Sequence, residues 1–177
     1  MKKIYLFIDG SNLYGGQYEL FGPKKYLSFP KLLEQIEKLL KINFDKIYFY
    51  ASYSPRSKKP TKKQELYLKN EALFYRSVKQ TKNVIFFRGY RSKTSGKEKG
   101  VDVKLGADLV TFAFLSRYNT VYLFSGDADF LQALFNIKEF CNKKKIIICS
   151  LSWLIVFREI LRYNKHRLSA WKQAFFY

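Results

Sequence analysis

The chain has 177 residues, is 47% hydrophobic and 19% aromatic, and carries a formal net charge of +19. This length and apolar content exclude a disordered polyelectrolyte and predict a single domain over residues 1–177. The charge predicts a polyanionic partner, either nucleic acid or an anionic membrane surface. No run approaches the ~20 apolar residues of a membrane span, and the apolar run after Met1-Lys-Lys is too short for a signal peptide. We therefore expect a cytoplasmic protein without a membrane partner.

Strands and helices alternate along the predicted chain. Runs rich in β-branched and aromatic residues predict five strands, at residues 4–8, 46–51, 84–87, 121–124 and 145–149. Helical spacing and helix-start signals predict helices at residues 30–40, 65–80, 101–115, 129–142 and 153–163. Loops are expected at residues 14–29, 54–63 and 89–100, and residues 151–177 end in a basic aromatic tail. This order predicts an α/β protein, a Rossmann-like three-layer α/β/α sandwich with a mostly parallel sheet of about five strands.

Acidic side chains follow two of the predicted strands at the point where each strand ends. Asp9 closes the first strand, and Asp127 and Asp129 come directly after Ser125-Gly126 at the end of the fourth. Because ligands of open α/β sheets bind outside the carboxyl ends of the strands, these carboxylates are expected to meet at one edge. Clustered carboxylates repel one another unless a cation lies among them, which predicts a divalent metal site.

Each of these polar residues also has a structural alternative. Asp9 could cap the following turn, and Asn12 could either orient a phosphate, a water or Asp9, or simply favour a turn. Asp129 and Asp102 could each serve as a helix N-cap. Asp108 follows Asp102 by six residues, which an ideal helix rotates by ~120°. The two acids therefore reach one site only if Asp102 precedes the regular helix or the site is wide.

Several other chemistries are excluded by the residues that the chain lacks. His166 is the sole histidine, which argues against a His-based triad and a His-rich zinc site. Cys141 and Cys149 have no metal-binding spacing and are expected to be reduced core residues. Neither a P-loop nor a dinucleotide glycine motif is present, and Asp9 lacks the second Asp two residues later that an aspartyl phosphatase would use.

What remains is carboxylate chemistry beside a strongly basic surface. Between residues 56 and 104, fifteen Lys or Arg stand against four acids. Mg²⁺ and Mn²⁺ prefer carboxylate and water oxygens, and such an ion activates water and stabilises charge on phosphorus. The combination predicts metal-dependent hydrolysis of phosphodiester bonds.

Three motifs resemble those of NYN-domain proteins, a branch of the PIN-like ribonuclease superfamily. They are Phe7–Asn12, Lys99–Leu105 with Asp108-Leu109, and Leu123–Phe130, in the family's order within roughly residues 3–150. The resemblance implies a PIN-like sandwich and an acidic, metal-dependent nuclease site, and it leaves the choice between RNA and DNA open. The site maps here onto six residues, Asp9, Asn12, Asp102, Asp108, Asp127 and Asp129.

The leading hypothesis is a Mg²⁺- or Mn²⁺-dependent ribonuclease that cleaves single-stranded RNA. The metal is expected at Asp9, Asp102, Asp127 and Asp129, with Asp108 or Asp129 assisting through water and Asn12 positioning the scissile phosphate. The nucleic-acid backbone is expected to contact a set of basic residues, Arg88, Arg91, Lys93, Lys97, Lys99 and Lys104. Aromatic side chains would stack on the bases.

Two alternatives stay open, and both use the same residues. One is a non-catalytic nucleic-acid-binding module or adaptor, which the net charge supports equally well. The other is a small-molecule phosphohydrolase, against which the charge weighs because a small substrate does not need so many basic residues. The aromatic end of the tail, including Trp171 and Phe175, could pack on the domain or form a homodimer interface.

Overall fold

The computed structural model describes residues 2–22, 27–91 and 98–149, with the backbone alone for residues 91, 98 and 99. Its helices are α1 (Gly10–Phe21), α2 (Phe29–Leu40), α3 (Lys62–Gln80), α4 (Val101–Phe114) and α5 (Leu131–Phe140), the last preceded by a 3₁₀ turn, Ala128–Phe130. Its strands are β1 (Ile4–Asp9), β2 (Lys46–Ala51), β3 (Val84–Arg88), β4 (Tyr90–Arg91), β5 (Glu98–Lys99), β6 (Thr120–Phe124) and β7 (Lys145–Cys149). The predicted helix at 153–163, His166 and the aromatic tail lie outside the described residues.

Five strands form one parallel sheet in the order β3-β2-β1-β6-β7. The chain builds outward from β1 to β3, then returns across the sheet to add β6 and β7 on the other side. The order therefore reverses between β1 and β6, and such a switch point opens a crevice at the carboxyl ends of the two strands. All five predicted strands are confirmed, within one residue at each end.

The sheet lies between two hydrophobic cores, because alternate side chains of a strand point to opposite faces. In β1, Leu6 and Ile8 join the core made with α1, α2 and α3, whereas Tyr5 and Phe7 join the core made with α4 and α5. Burial on both faces explains why the strands are nearly continuous apolar runs rather than alternating ones. The predicted three-layer α/β/α sandwich is confirmed.

The segment after β1 is a helix, so the loop predicted for residues 14–29 is wrong over its first half. Gly15 and Gly16 lower helix propensity by about 1 kcal/mol each relative to alanine. Tertiary packing outweighs that cost, because Tyr14 is buried against the aromatic rings of α3 and its hydroxyl donates to the Tyr67 carbonyl at 3.0 Å. Gly22, at φ 70°, ends the helix in the left-handed conformation that glycine tolerates.

Two other predictions need correction. Helical spacing predicts that Leu66, Leu73 and Val78 face inward from α3. Val78 is buried, but Leu66 and Leu73 are each 36% exposed, and Phe74 and Tyr75 fill the core because the larger rings bury more apolar surface. The basic loop predicted for residues 89–100 contains the short antiparallel pair β4 and β5.

The remaining expectations about the chain concern membranes and cysteines. Among the described helices, none combines the length and apolar character needed to cross a membrane. Cys141 and Cys149 are both free thiols, and Cys149 is buried, as expected of reduced core residues.

Candidate active site

Asp9 lies at the switch point of the sheet and is nearly fully buried, at 4% exposure. It ends β1 and caps α1, where its Oδ1 accepts the backbone N–H of Asn12 at 3.0 Å. Its Oδ2 accepts the hydroxyl of Ser125, which follows β6, at 3.0 Å. The capping alternative is therefore realised, and it holds the carboxylate rigidly at the crevice rather than turning it away from the edge.

Ser125 connects the ends of the two strands. Its Oγ donates to Asp9 and accepts the backbone N–H of Asp127 at 3.1 Å. A second link runs through Asn12, whose Oδ1 accepts the Gly126 N–H at 3.3 Å. These bonds tie the turn after β6 to the turn after β1, so that Asp9, Asn12 and Asp127 form one constellation.

Asp127, not Asp129, performs the capping role at the end of β6. The Oδ1 of Asp127 accepts the backbone N–H of Asp129 at 2.9 Å and thereby caps the 3₁₀ turn. Both side chains are exposed to solvent at the edge of the crevice. A carboxylate has about four acceptor sites, so one hydrogen bond to Asp127 leaves capacity for a further ligand.

Asp102 lies in the first turn of α4 and interacts electrostatically with Asp9. It is not the N-cap considered above, because Gly100 occupies that position at φ 82°. Burial raises the pKa of Asp9 above the ordinary aspartate value, and the carboxylates of Asp102 and Asp127 raise it further, against the hydrogen bonds from Asn12 and Ser125. Asp102 and Asp127, which are distant from Asp9 in sequence, therefore both interact electrostatically with it.

Asp108 has two partners of its own. Its Oδ2 accepts the hydroxyl of Tyr50 at 2.9 Å, and its Oδ1 pairs with the Lys104 ammonium. Asp102 lies inside regular α4, so the helix rotation separates the two acids as the spacing indicated. Tyr50 pairs with Asp9 in the sheet register, so the hydrogen bond to Tyr50 links Asp108 to the strand next to Asp9.

Of the six predicted basic residues, Arg88 and Lys104 have described side chains. Arg88 ends β3 and is exposed, and Lys104 is exposed while paired with Asp108. Arg91 and Lys99 belong to β4 and β5, for which the backbone is described. Two further predicted contacts, Lys93 and Lys97, lie outside the described residues.

A model of the NYN domain matches residues 3–162 of this chain. The chain belongs to the NYN domain family. The family is generally nuclease-like, and membership suggests binding of nucleic acid. A crystal structure of a protein of unknown function from Vibrio parahaemolyticus is similar, with a TM-score of 0.59 and 18% identity over 85% of this chain and 82% of that one. That likeness concerns the fold. No curated protein matches the chain significantly.

The donor chemistry of this NYN domain suits an oxygen-seeking cation, although its acids are not preassembled. In the portion of the chain that the structure describes, no group of three or more His, Cys, Asp or Glu side chains is arranged to hold a metal ion. Mg²⁺ nevertheless keeps several waters and commonly binds through one or two carboxylates plus substrate phosphates. Asp9 with Asp102 or Asp127 meets that lesser requirement, since each neighbour interacts electrostatically with Asp9.

Sequence reasoning missed two residues that organise the site. Ser125 was read as part of a strand-ending turn, although it follows a buried strand and precedes the acids, where a hydroxyl can link two chain segments. Tyr50 resembled an ordinary core aromatic, and it is 1% exposed. Its partnership with Asp108 spans 58 residues, and no local pattern signals such a contact.

Proposed function

We propose that this NYN domain is a divalent-metal-dependent ribonuclease that cleaves single-stranded RNA. The observation that carries the proposal is the position of Asp9, a buried carboxylate at the sheet's switch point whose pKa is raised further by Asp102 and Asp127. Burying a carboxylate beside two others is costly, and a bound cation would offset that cost. The net charge of +19 gives the surrounding surface an affinity for polyanions.

Each side chain of the constellation has a role in this proposal. Asp9, Asp102 and Asp127 would hold Mg²⁺ or Mn²⁺, with Asp129 or Asp108 acting through water. The ion would supply a water of lowered pKa and stabilise the charge that develops on the phosphoryl oxygens. Asn12 is exposed beside Asp9, and its amide N–H groups would position a phosphate oxygen.

Ser125 is a positioning residue in this scheme. It holds Asp9 through its hydroxyl and fixes the backbone of Asp127. Hydrogen-bond partners of metal-binding carboxylates orient those ligands and tune the ion. Asp9 and the backbone of Asp127 would therefore keep their positions before the metal and the substrate arrive.

The test is cleavage of labelled single-stranded RNA, beside DNA of matched sequence, in Mg²⁺, Mn²⁺ or EDTA. Asp127→Asn should abolish metal-dependent RNA cleavage while RNA binding in EDTA persists. Asp45→Asn is the matched control, because Asp45 caps Ile4 at the opposite edge of the sheet, where its Oδ2 accepts that N–H at 2.7 Å. Cleavage that survives EDTA or Asp127→Asn would overturn the proposal, and preferential cleavage of DNA would correct the substrate.

A non-catalytic RNA-binding module is the second candidate. The absence of a preassembled three-ligand metal group in the described chain favours it. The same experiment separates the two, because the module would bind RNA with steep salt dependence and leave it intact in every metal.

A further inference from the structure

A cleft of about 650 Å³ opens beside the acidic constellation, at the carboxyl ends of β2 and β3. Its walls come from the segment after β2, from α3, and from residues 88–90. In the sheet register Asp9 pairs with Tyr50, and Ala51 pairs with Arg88. Neighbouring strands lie ~4.8 Å apart, so the cleft begins about one to two strand spacings from Asp9. Its volume is within the range of small-molecule and cofactor sites.

Ser52 supplies a buried hydroxyl group to the cleft. It lines the cleft and is 4% exposed, and its Oγ has no hydrogen-bond partner among the residues that the structure describes. Buried hydroxyl groups in native proteins are nearly always paired with protein, water or ligand. The atom is closed to solvent in this conformation, so a ligand would pair with it once the side chain rotates about χ1, which no described hydrogen bond opposes.

The wall beside Ser52 is rigid and polar. Glu71 of α3 is 2% exposed, and its Oε2 and Oε1 accept the backbone N–H and the hydroxyl of Ser54 at 2.9 and 2.6 Å. These bonds fix the segment that carries Ser52 against α3. A preformed wall of this kind favours recognition of one ligand shape, because little ordering is needed when the ligand binds.

Two arginines and an exposed aromatic ring complete the cleft. Arg56 and Arg88 are both exposed, and the Arg88 guanidinium lies over the Tyr53 ring with its Cζ 5.1 Å from the centroid. Tyr90 is 67% exposed. Guanidinium groups bind phosphate in a bidentate manner, and exposed aromatic rings are the platforms on which single-stranded bases stack.

Tyr90 also faces the metal-binding side of the edge. A Cβ placed on Gly100 would lie 3.1 Å from the Tyr90 ring, so the ring lies against the start of α4, two residues before Asp102. The Tyr90 ring therefore connects the cleft with the start of α4, where Asp102 lies.

We propose that this cleft is a nucleotide subsite for the residue of the RNA strand next to the scissile phosphate. The base stacks on Tyr90, a hydrogen-bonding group of the base or ribose pairs with the Ser52 hydroxyl, and Arg56 and Arg88 bind the adjoining phosphate. The assignment of a substrate strand rests on the proposed ribonuclease function. Nucleotide binding by the cleft does not, and it is measured without metal.

The experiment measures the affinities of the four ribonucleoside 5′-monophosphates, inorganic phosphate and a five-nucleotide RNA in EDTA, at one ionic strength. At least one mononucleotide should bind about 10-fold or more tightly than phosphate, and the RNA more tightly still. Tyr90→Leu should lower mononucleotide affinity by about 10-fold or more, the loss of one base stack. Phe135→Leu is the matched control, since Phe135 is 58% exposed on α5, away from the cleft.

Ser52→Ala provides a second variant whose folding is not at risk. Removing an unpartnered hydroxyl should leave the melting temperature unchanged or raised while nucleotide affinity falls, which a purely structural serine would not do. Equal binding of phosphate and nucleotides, or unchanged affinity in both variants, would overturn the subsite. Tighter binding of a mononucleotide than of the RNA would overturn its assignment to a substrate strand.

Failure of the subsite and failure of the ribonuclease proposal are distinguishable. Metal-dependent cleavage with unchanged rates and cut positions in Tyr90→Leu would sustain the nuclease and reject the subsite. If the protein binds nucleotides in a way that requires Tyr90 but cleaves no RNA, the nucleotide-binding cleft would stand and the ribonuclease proposal would be rejected.

Discussion

The carboxyl edge of the sheet is divided into two halves of opposite character. The acidic half lies at the ends of β1 and β6 and comprises Asp9, Asp127 and Asp129, joined by Asp102 from α4. The basic half lies at the ends of β2 and β3 and includes Arg56 and Arg88 around an open cleft. Neighbouring strands of one sheet thus carry acidic and basic side chains at the same edge, which would bind a cation and a polyanion in the proposals above.

This difference indicates how a very basic protein can carry a cluster of acids. Repulsion within the acidic half would be relieved by a metal ion, whereas the basic half would be neutralised by a phosphate backbone. Both compensating charges arrive with the proposed substrate complex. The two halves should therefore respond differently to salt, to pH and to substitution.

Salt should produce the largest effect, and it should act through the basic half. If the domain contacts 6–10 phosphates, RNA affinity in EDTA should fall by ~10³–10⁵ between 50 and 200 mM salt. Arg88→Ala should reduce the log–log salt slope by about 1. Arg117→Ala, at the opposite edge of the sheet, should leave the slope unchanged. Fluorescence anisotropy measures these slopes, and a flat dependence would refute a backbone-binding basic half.

Asp9→Asn should also produce a large loss of catalysis, through the acidic half. Cleavage should fall by on the order of 10²–10³, the scale typical of losing one preorganised electrostatic group. Binding of RNA in EDTA should not fall, because the variant removes a negative charge. Retained cleavage in Asp9→Asn would exclude this carboxylate from the metal site.

Asp9→Asn should also weaken the pH dependence of the protein's stability. The pKa of Asp9 is raised in the folded protein, so the folded state binds more protons than the unfolded state between the ordinary and the raised value. The contribution of Asp9 to metal-free stability is therefore fully present below the ordinary pKa and is lost as pH rises through the raised one. Thermal unfolding in EDTA from pH 4 to 8 should show this decline in wild type and less of it in Asp9→Asn. An identical pH profile would contradict the raised pKa.

Ser125→Ala should have a smaller effect on cleavage. It removes the hydroxyl that bonds Asp9 and the Asp127 backbone but leaves every carboxylate in place. Loss of a hydrogen bond that orients a metal ligand typically costs about 10–100-fold in metal affinity or activity. Raising Mn²⁺ should partly restore the rate if the defect is in metal binding. Ser77→Ala is the matched control, because it removes a partly buried hydroxyl on α3 that donates to Phe74 at 2.7 Å. Equal defects in the two variants would make Ser125 merely structural.

The acidic half could be anticipated from sequence because its residues follow strands directly. Asp9 and Asp127 stand where β1 and β6 end, and the parallel order of the sheet brings those ends together. Five strands were predictable for the same reason, since buried parallel strands are short apolar runs. Helix α1 was not predictable, because Gly15 and Gly16 lower the helix propensity of a segment that tertiary contacts stabilise.

The cleft of the basic half could not be anticipated, because none of its features is local. Ser52 and Glu71 are unremarkable in the sequence, and their shared wall exists only because α3 packs against the segment after β2. The density of Lys and Arg between residues 56 and 104 indicated a basic surface, but not a preformed site within it.

Tyr50→Phe should have the smallest effect on cleavage, and it tests whether Asp108 belongs to the metal site. Burial, followed by the Asp108 carboxylate, raises the pKa of Tyr50, so its hydroxyl stays protonated and donates to Asp108. Removing that hydroxyl should cost about 1–3 kcal/mol of stability, because the hydrogen bond goes to a charged group. Cleavage should change by less than ~10-fold, since Lys104 still pairs with Asp108 and the metal would lie with Asp9. Denaturant unfolding and single-turnover cleavage measure the two effects. A loss of cleavage as large as that of Asp9→Asn would indicate that Asp108 itself binds the metal.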